Sequence, residues 1–366
     1  MAKSDITNTP FTEGIKYTGS KLKLLPHIIE MINSVNGVNH ILDGFSGTTR
    51  VSQALAQLGY KITSNDISNW SEVFATCYLL ADRNYQFYKE IIDHLNALQP
   101  IDGWYSTYYG GEDLDKKRPF QLKNTRKLDA IRNEIDNLNL DWKDKCVILT
   151  SLIQALDKVD NTMGHYVAYL NKWSKRSFNE LYLNVPMRMI QNHEHKVIRD
   201  DIFKTAIFQN YDLAYFDPPY GSNNEKMPPS RVRYSAYYHL WTTIIKNDKP
   251  ILFGKANRRE DTRDASNGSV FEEFRRSSNG EFIALEAIKD LILQTNAKYI
   301  MLSYSSGGRA TQKQIMDTIK EQGSLVSMKI IDFKKNVMSY MCSTNKWTTN
   351  ENKHCEYLFL MKKNNY

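Results

Sequence analysis

With 366 residues the chain can hold one large core or two moderate domains, because single cores stop growing at roughly 250–300 residues. Its 41% hydrophobic and 24% charged content is that of a soluble globular protein, and no run approaches the roughly 18 uninterrupted apolar residues of a membrane-spanning helix. The net charge of +7, from 48 Lys and Arg against 41 Asp and Glu, admits a polyanionic partner without requiring one. The opening MAKSDITNTPFTEG is polar and lacks the apolar segment of a secretory signal, so a cytoplasmic protein is expected. Cys77, Cys146, Cys342 and Cys355 are scattered and form no CxxC pair, so reduced thiols and no metal site are expected.

The first clear strand is NHILDGF, ending in Asp43, and SGTTRVSQALAQLGY then places Val51, Ala54, Leu55 and Leu58 at helical spacing. YKITSND adds a second strand that closes on Asp66. The segment therefore reads as a βαβ unit with a carboxylate at each strand end, where open α/β sheets bind ligands. From about Asn84 to Met189 amphipathic patterns replace the strand signal, over 85–98, 125–138 and 142–159. Two basic clusters lie in this helical block. KKRPFQLKNTRK carries Lys116, Lys117, Arg118, Lys123, Arg126 and Lys127 with no acid, and KWSKR carries Lys172, Lys175 and Arg176 around an aromatic. Such clusters are either solvated faces or phosphate contacts. Strands return as HKVIRD, DLAYFDPPY, AKYIMLSY, SLVSMKIIDF and EYLFLMKK, with helices over 281–294 and 311–322. The expectation is one α/β sheet built from residues 1–83 and 190–366, interrupted by a helical insertion over 84–189. Two long polar loops are expected as well: GSNNEKMPPSRVR, with Arg231 and Arg233, and ANRREDTRDASNGSVFEEFRRSSNG.

Asp217, Pro218, Pro219 and Tyr220 directly follow the apolar strand DLAYF. The exocyclic amine of adenine is a poor nucleophile because its lone pair is delocalised into the ring. Asp217 could accept one amine hydrogen and the Pro218 carbonyl the other, localising the lone pair toward an electrophile. Two prolines fix φ and stiffen the turn, and Tyr220 offers a flat face for a base drawn out of a helix. DGFSGTT, from Asp43 to Thr49, is a strand-to-helix turn whose glycines let the backbone approach a ligand, and Asp43 can meet a cationic amine such as that of a methionine moiety. Asp66 is placed either to bind ribose hydroxyls or to cap a helix.

Together with KYTGSK at Lys16–Lys21, inside KYTGSKLKLLPHI, these motifs and their order resemble the deoxyadenosine methylase family of amino-methyltransferases. The resemblance implies a Rossmann-like sheet that uses S-adenosylmethionine, with the helical block as target-recognition domain. It implies site-specific transfer of a methyl group to N6 of a flipped-out adenine in double-stranded DNA, as the modification enzyme of a restriction system whose endonuclease acts separately. Residue by residue, Tyr17 matches the aromatic against the cofactor adenine and Lys21 the cofactor-site lysine. Phe45 and Gly47 fall on the cofactor loop, and Asp66 on the ribose-binding acid. Asp201 matches the acid near the cofactor adenine amine, with Asp200 equally placed. Asp43 and Asp217 complete the cofactor side, and Asp217, Pro218, Pro219 and Tyr220 form the catalytic turn. Lys16, the two basic clusters, Arg231 and Arg233 would hold DNA. YSAYYHLWTTI, over Tyr234–Ile244, resembles the helix after the catalytic loop, or is an aromatic core stripe.

Two positions depart from the family. Thr49 stands where a second loop glycine is usual, and a β-branched residue disfavours positive φ there; Gly44 stands where Pro or Leu is frequent. Competing functions are methylation of cytosine N4, methylation of adenine N6 in RNA, and a non-catalytic DNA-binding subunit that retains the fold. Methylation at cytosine C5 is set aside, because it needs a nucleophilic thiol and no cysteine lies near these motifs.

Overall fold

The longer strands form where the sequence places its apolar runs: β1 His40–Asp43, β2 Lys61–Asn65, β3 Lys196–Ile198, β4 Tyr211–Phe216, β5 Ala297–Ser305, β6 Gly323–Asp332 and β7 Cys355–Lys363. The computed structural model describes residues 9–112, 118–187, 193–220, 234–263, 269–332 and 355–364. The chain divides into two compact units, one made of Met1–Pro26, Ser46–Asp201 and Arg233–Asn267, the other of His27–Phe45, Ile202–Val232 and Gly268–Tyr366.

In the second unit the strand order is β6-β7-β5-β4-β1. β4 pairs in parallel with β1 and with β5, while β7 runs antiparallel to both β5 and β6. β1 and β4 are apolar and nearly continuously buried, the pattern of parallel strands covered on both faces. Register sets Asp43 beside Tyr215, two residues before Asp217. One core runs through this unit, from Leu42 on β1 and Phe216 on β4 to Leu285, Ile288 and Leu291 on the helix Ile283–Gln294. The architecture is mixed α/β with mainly parallel strands, as a Rossmann-like fold requires.

In the first unit β2 and β3 pair in parallel. Their unit also contains the helices Tyr85–Ala97, Leu122–Asn137 and Trp142–Val159, so the helical block forms as its amphipathic patterns indicate. Helix starts are fixed by side chains: Asn84 accepts from the Phe87 amide at 2.8 Å, and Asp141 from the Asp144 amide at 2.9 Å. The helix Asn69–Leu80 has no apolar stripe in the sequence because it is buried on nearly every side, with Trp70, Val73, Phe74, Cys77 and Tyr78 in the core. Tyr234–Ile244 is divided into Tyr234–Tyr237 and His239–Lys246, and Tyr238, Leu240 and Trp241 are core residues. Within the long polar stretch 256–280, short pieces form instead of one loop: Arg258–Arg259 pairs with Leu252–Phe253, and Glu260–Thr262 and Val270–Glu272 are 3-10 turns. The loop 221–233 lies outside the described residues, as does Cys342. No helix among the described residues is long and apolar enough to cross a membrane.

Candidate active site

In the first unit a group forms around Gly47. The loop enters the helix Arg50–Gln57 through two left-handed residues, Gly47 at φ +51° and Thr49 at φ +61°. Thr49 therefore takes the conformation expected of the missing glycine. Three contacts hold it there: its amide donates to the Ser46 carbonyl at 2.6 Å, its carbonyl accepts from the Gln53 amide at 2.8 Å, and the Gln53 side chain donates to its hydroxyl at 3.1 Å. Asp66 follows β2 and organises the loop from its other side. Its Oδ2 accepts from the Gly47 amide at 2.9 Å, and its Oδ1 accepts from the Ser68 amide and hydroxyl at 2.9 and 2.8 Å. Ser71 completes the clamp by donating to the Gly47 carbonyl at 2.6 Å. Asp66 is thus a loop clamp and a helix-entry acceptor at once; Oδ1 accepts two hydrogen bonds, while Oδ2 accepts one and keeps a second lone pair.

Tyr17 lies against this loop. A Cβ on Gly47 would stand 3.3 Å from the Tyr17 ring. The ring stacks on Tyr238, with centroids 4.5 Å apart, and Tyr238 accepts from the Thr18 amide at 2.8 Å. Burial, then the neighbouring Tyr234 and Asp66, pushes the Tyr17 phenol well above its ordinary value. The aromatic residues of YSAYYHLWTTI are accordingly a core stripe that backs Tyr17. Lys21 is 8% exposed, and its ammonium donates to the Gly19 carbonyl at 3.2 Å. Asp200 is half-buried and accepts from the Asp201 amide at 2.7 Å, while the Asp201 side chain is exposed.

The second unit carries the turn after β4. Asp217 is half-buried, Pro218 buried, and the Tyr220 hydroxyl donates to Asp217 Oδ1 at 2.6 Å. The same hydroxyl contacts Oε1 of Glu356 on β7, which also accepts from the Ser303 hydroxyl at 2.8 Å. The Tyr220 ring meets Tyr304 edge-on, with centroids 5.1 Å apart. Tyr215 is buried with Asp217, Asp43 and Glu356 near its phenol, and burial first, then these acids, raises it well above its ordinary value. Asp43, at the end of β1, is 1% exposed. Gly44 has no room for a side chain, since a Cβ would stand 2.6 Å from Phe216 and 2.8 Å from Ile202. This contact accounts for glycine where the family often carries a larger residue. Phe45 packs edge-on against Phe216 and Phe271.

The basic residues behave unequally. Lys116, Lys117, Arg231 and Arg233 lie outside the described residues. Lys172 and Lys175 are exposed, and Lys123, also exposed, donates to the Phe178 carbonyl at 2.8 Å. Arg118 is half-buried, its stem against Gly111. Arg126 pairs with Asp102 at 2.7 Å. Three others are turned inward: the Lys127 ammonium donates to the Asn96 and Leu98 carbonyls at the end of Tyr85–Ala97, and Lys16 and Arg176 share Asp160 Oδ1 at 2.6 and 2.7 Å. Lys16 also donates through its amide to Asp157 Oδ2 at 3.0 Å. Burial is the main cause that pushes Asp157 up to about 6, with Asp160 adding to it and Lys16 opposing.

Sequence reasoning missed Glu356, Ser303, Asp157 and Asp160. The available signal was weak: a single acid opening the apolar run EYLFLMKK, and one serine inside AKYIMLSY.

Residues 17–305 match the model of the D12 class N6 adenine-specific DNA methyltransferases. The chain is 28% identical to the Modification methylase StsI of Streptococcus sanguinis over 88% of its own length and 48% of that protein. It is 26% identical to the Type II methyltransferase M.FokI of Planomicrobium okeanokoites, over 95% of this chain and 53% of that one. The Type II methyltransferase M.NlaIII of Neisseria lactamica is also 26% identical, over 95% of this chain and 99% of its own. The chain thus spans about half the length of the first two relatives and nearly all of the third.

Proposed function

This chain belongs to the D12 class of N6 adenine-specific DNA methyltransferases, and from that premise we propose that it transfers a methyl group from S-adenosylmethionine to the exocyclic amine of an adenine flipped out of duplex DNA. The observation that carries this reading is the turn Asp217–Tyr220, which ends a buried parallel strand with a carboxylate held by a tyrosine hydroxyl at 2.6 Å. In the proposed reaction Asp217 and the Pro218 carbonyl each accept one amine hydrogen, so the nitrogen lone pair is localised for attack. The Tyr220 ring serves as the stacking surface for the displaced base, which must leave the duplex because its amine cannot reach a strand-end carboxylate from within the stack.

The residues around Gly47 fit the cofactor by the chemistry of their groups. Tyr17 supplies an aromatic ring beside a backbone that lacks a Cβ, and Asp66 a carboxylate whose Oδ2 keeps a lone pair for a ribose hydroxyl. When bound, S-adenosylmethionine supplies the electrophilic methyl group on a sulfonium. Asp43 is assigned to the amine of the methionine moiety, and Lys21, Phe45 and Asp201 to the remaining cofactor contacts. Segment 84–189 is assigned to target recognition, with the exposed Lys123, Lys172 and Lys175 on DNA phosphates. The relatives' names, Modification methylase and Type II methyltransferase, support a modification role beside a separate endonuclease.

Replacing Asp217 by Ala tests the reading. Methyl transfer to duplex DNA from a labelled donor is expected to fall on the order of 100-fold or more, with the circular dichroism spectrum of the folded protein retained. A variant with wild-type turnover would remove Asp217 from the mechanism.

A further inference from the structure

The hairpin that pairs Leu252–Phe253 with Arg258–Arg259 lies outside the helical block 84–189, in a stretch rich in cations. Its four-residue turn holds Gly254 at φ +70° and Asn257 at φ +50°, residue types that accept left-handed backbone. The turn exposes Lys255 and sets Arg258 directly across from Phe253. The Arg258 guanidinium lies over the Phe253 ring, 4.5 Å from its centroid, and the Arg263 guanidinium lies 4.8 Å from the same centroid. A guanidinium resting on a ring keeps N–H donors at its edge and is held in place before a ligand arrives.

From Lys246 to Arg263 six cations stand against three acids. All three acids are engaged: Asp248 and Asp261 hold the buried Arg259 at 2.6 and 2.8 Å, and Glu260 pairs with Arg263 at 2.8 Å. Arg259 thereby occupies the acids that would compete for the outer cations. Among the described residues Lys255 and Arg258 have no ion pair. The hairpin is also fastened to the helical block within its own unit. The Asn257 side chain donates to the Tyr108 carbonyl at 2.6 Å, and the Asn257 carbonyl accepts from the Tyr109 hydroxyl at 2.8 Å. The Tyr169 hydroxyl donates to the Ala256 carbonyl at 2.5 Å. Tyr169 precedes the exposed Lys172 by three residues and has Arg118 as a charged neighbour.

We propose that Lys255 and Arg258 hold phosphates of the duplex, extending onto this hairpin the DNA-binding face assigned to Lys172 and Lys175. The chemistry fits phosphate: Lys255 is a point charge at a turn tip, and the Arg258 fork matches paired phosphate oxygens. The inference rests on the functional reading, which makes duplex DNA the substrate.

Anisotropy titrations of the full chain with a duplex of random sequence, over a range of salt concentrations, test it. Lys255→Gln and Arg258→Gln are each expected to lower the slope of log affinity against log salt by roughly 0.9, and the double variant by about twice that. Arg258→Lys keeps the charge and so keeps the wild-type slope. An unchanged slope in either Gln variant, while the wild type binds and methylates duplex DNA, overturns the inference and leaves the functional reading in place. Lys255→Gln, at an exposed turn position, decides if Arg258→Gln fails to fold. Slopes lowered as expected in a protein that transfers no methyl group keep the surface and remove the functional reading.

Discussion

The loop at Gly47 and the turn at Asp217 both follow a parallel strand, yet they are held by different means. Backbone groups hold the loop: the Gly47 amide and carbonyl are clamped by Asp66 and Ser71, and Thr49 sits at positive φ in place of a glycine. Side chains hold the turn, through the Tyr220 hydroxyl between Asp217 and a glutamate 136 residues further along the chain. A loop fixed through its backbone tolerates a changed side chain if the hydrogen bonds persist. A turn fixed through side chains has no such latitude.

That contrast predicts a ranking of effects in the loop region. Asp66→Ala leaves the Gly47 and Ser68 amides without their acceptor, and should lower stability by roughly 2–3 kcal/mol in denaturant titration; a wild-type midpoint would mean that the loop needs no clamp. Tyr17→Ala removes a stacked ring without touching that clamp. Its expected effect is a cofactor affinity weaker by about 0.5–1.5 kcal/mol beyond the lost contact area, measured by calorimetry, and unchanged affinity would make Tyr17 a packing residue.

Asp157, bonded to the Lys16 amide, gives the region a pH signature. Its folded-state value of about 6 lies above the ordinary 3.8, so the folded protein binds more protons between these values. The associated stability is fully present below the lower value and is lost as pH rises through about 6. Melting temperature should therefore decline over this window, and Asp157→Asn should flatten the decline; a variant with the same slope would assign the titration elsewhere. The smallest effect is expected for Thr49→Gly. Relief of a left-handed β-branched residue, worth about 1–2 kcal/mol, is offset by the chain entropy of glycine at about 0.5–1 kcal/mol and by loss of the Gln53 hydrogen bond. Stability within about 1 kcal/mol of wild type and unchanged cofactor affinity are expected. A large loss would show that the threonine side chain, and not the backbone, fixes the loop.

The same distinction explains what could be read in the sequence. Strand ends were legible because apolar runs stop at Asp43, Asp66 and Asp217, and the structure ends strands at or beside each of these. The helix Tyr85–Ala97 was legible because it has a single buried face, formed by Tyr88, Ile92 and Leu95. Asn69–Leu80 was not, since a helix buried on nearly all sides loses its period. The aromatic stripe of Tyr234–Ile244 predicted helix, yet gave no sign of the break at Tyr238. Glu356 was hidden because its partners come from β4 and β5, and only pairing of β7 beside β5 brings it to Tyr220. Charge counting failed in a similar way. Lys16, Lys127 and Arg176 look no different in sequence from Lys172 and Lys175, but the first three bind acceptors within the protein and the last two are exposed.

The central claim is that Asp217 directs a methyl group to the adenine amine. Direct sequencing of DNA from cells expressing the protein, with a readout of N6-methyladenine, tests it most directly. The account predicts modified adenine at one recurring sequence, absent when the expressed protein carries Asp217→Ala. Adenines unmodified throughout, or methyl groups found on cytosine N4 instead, would contradict it.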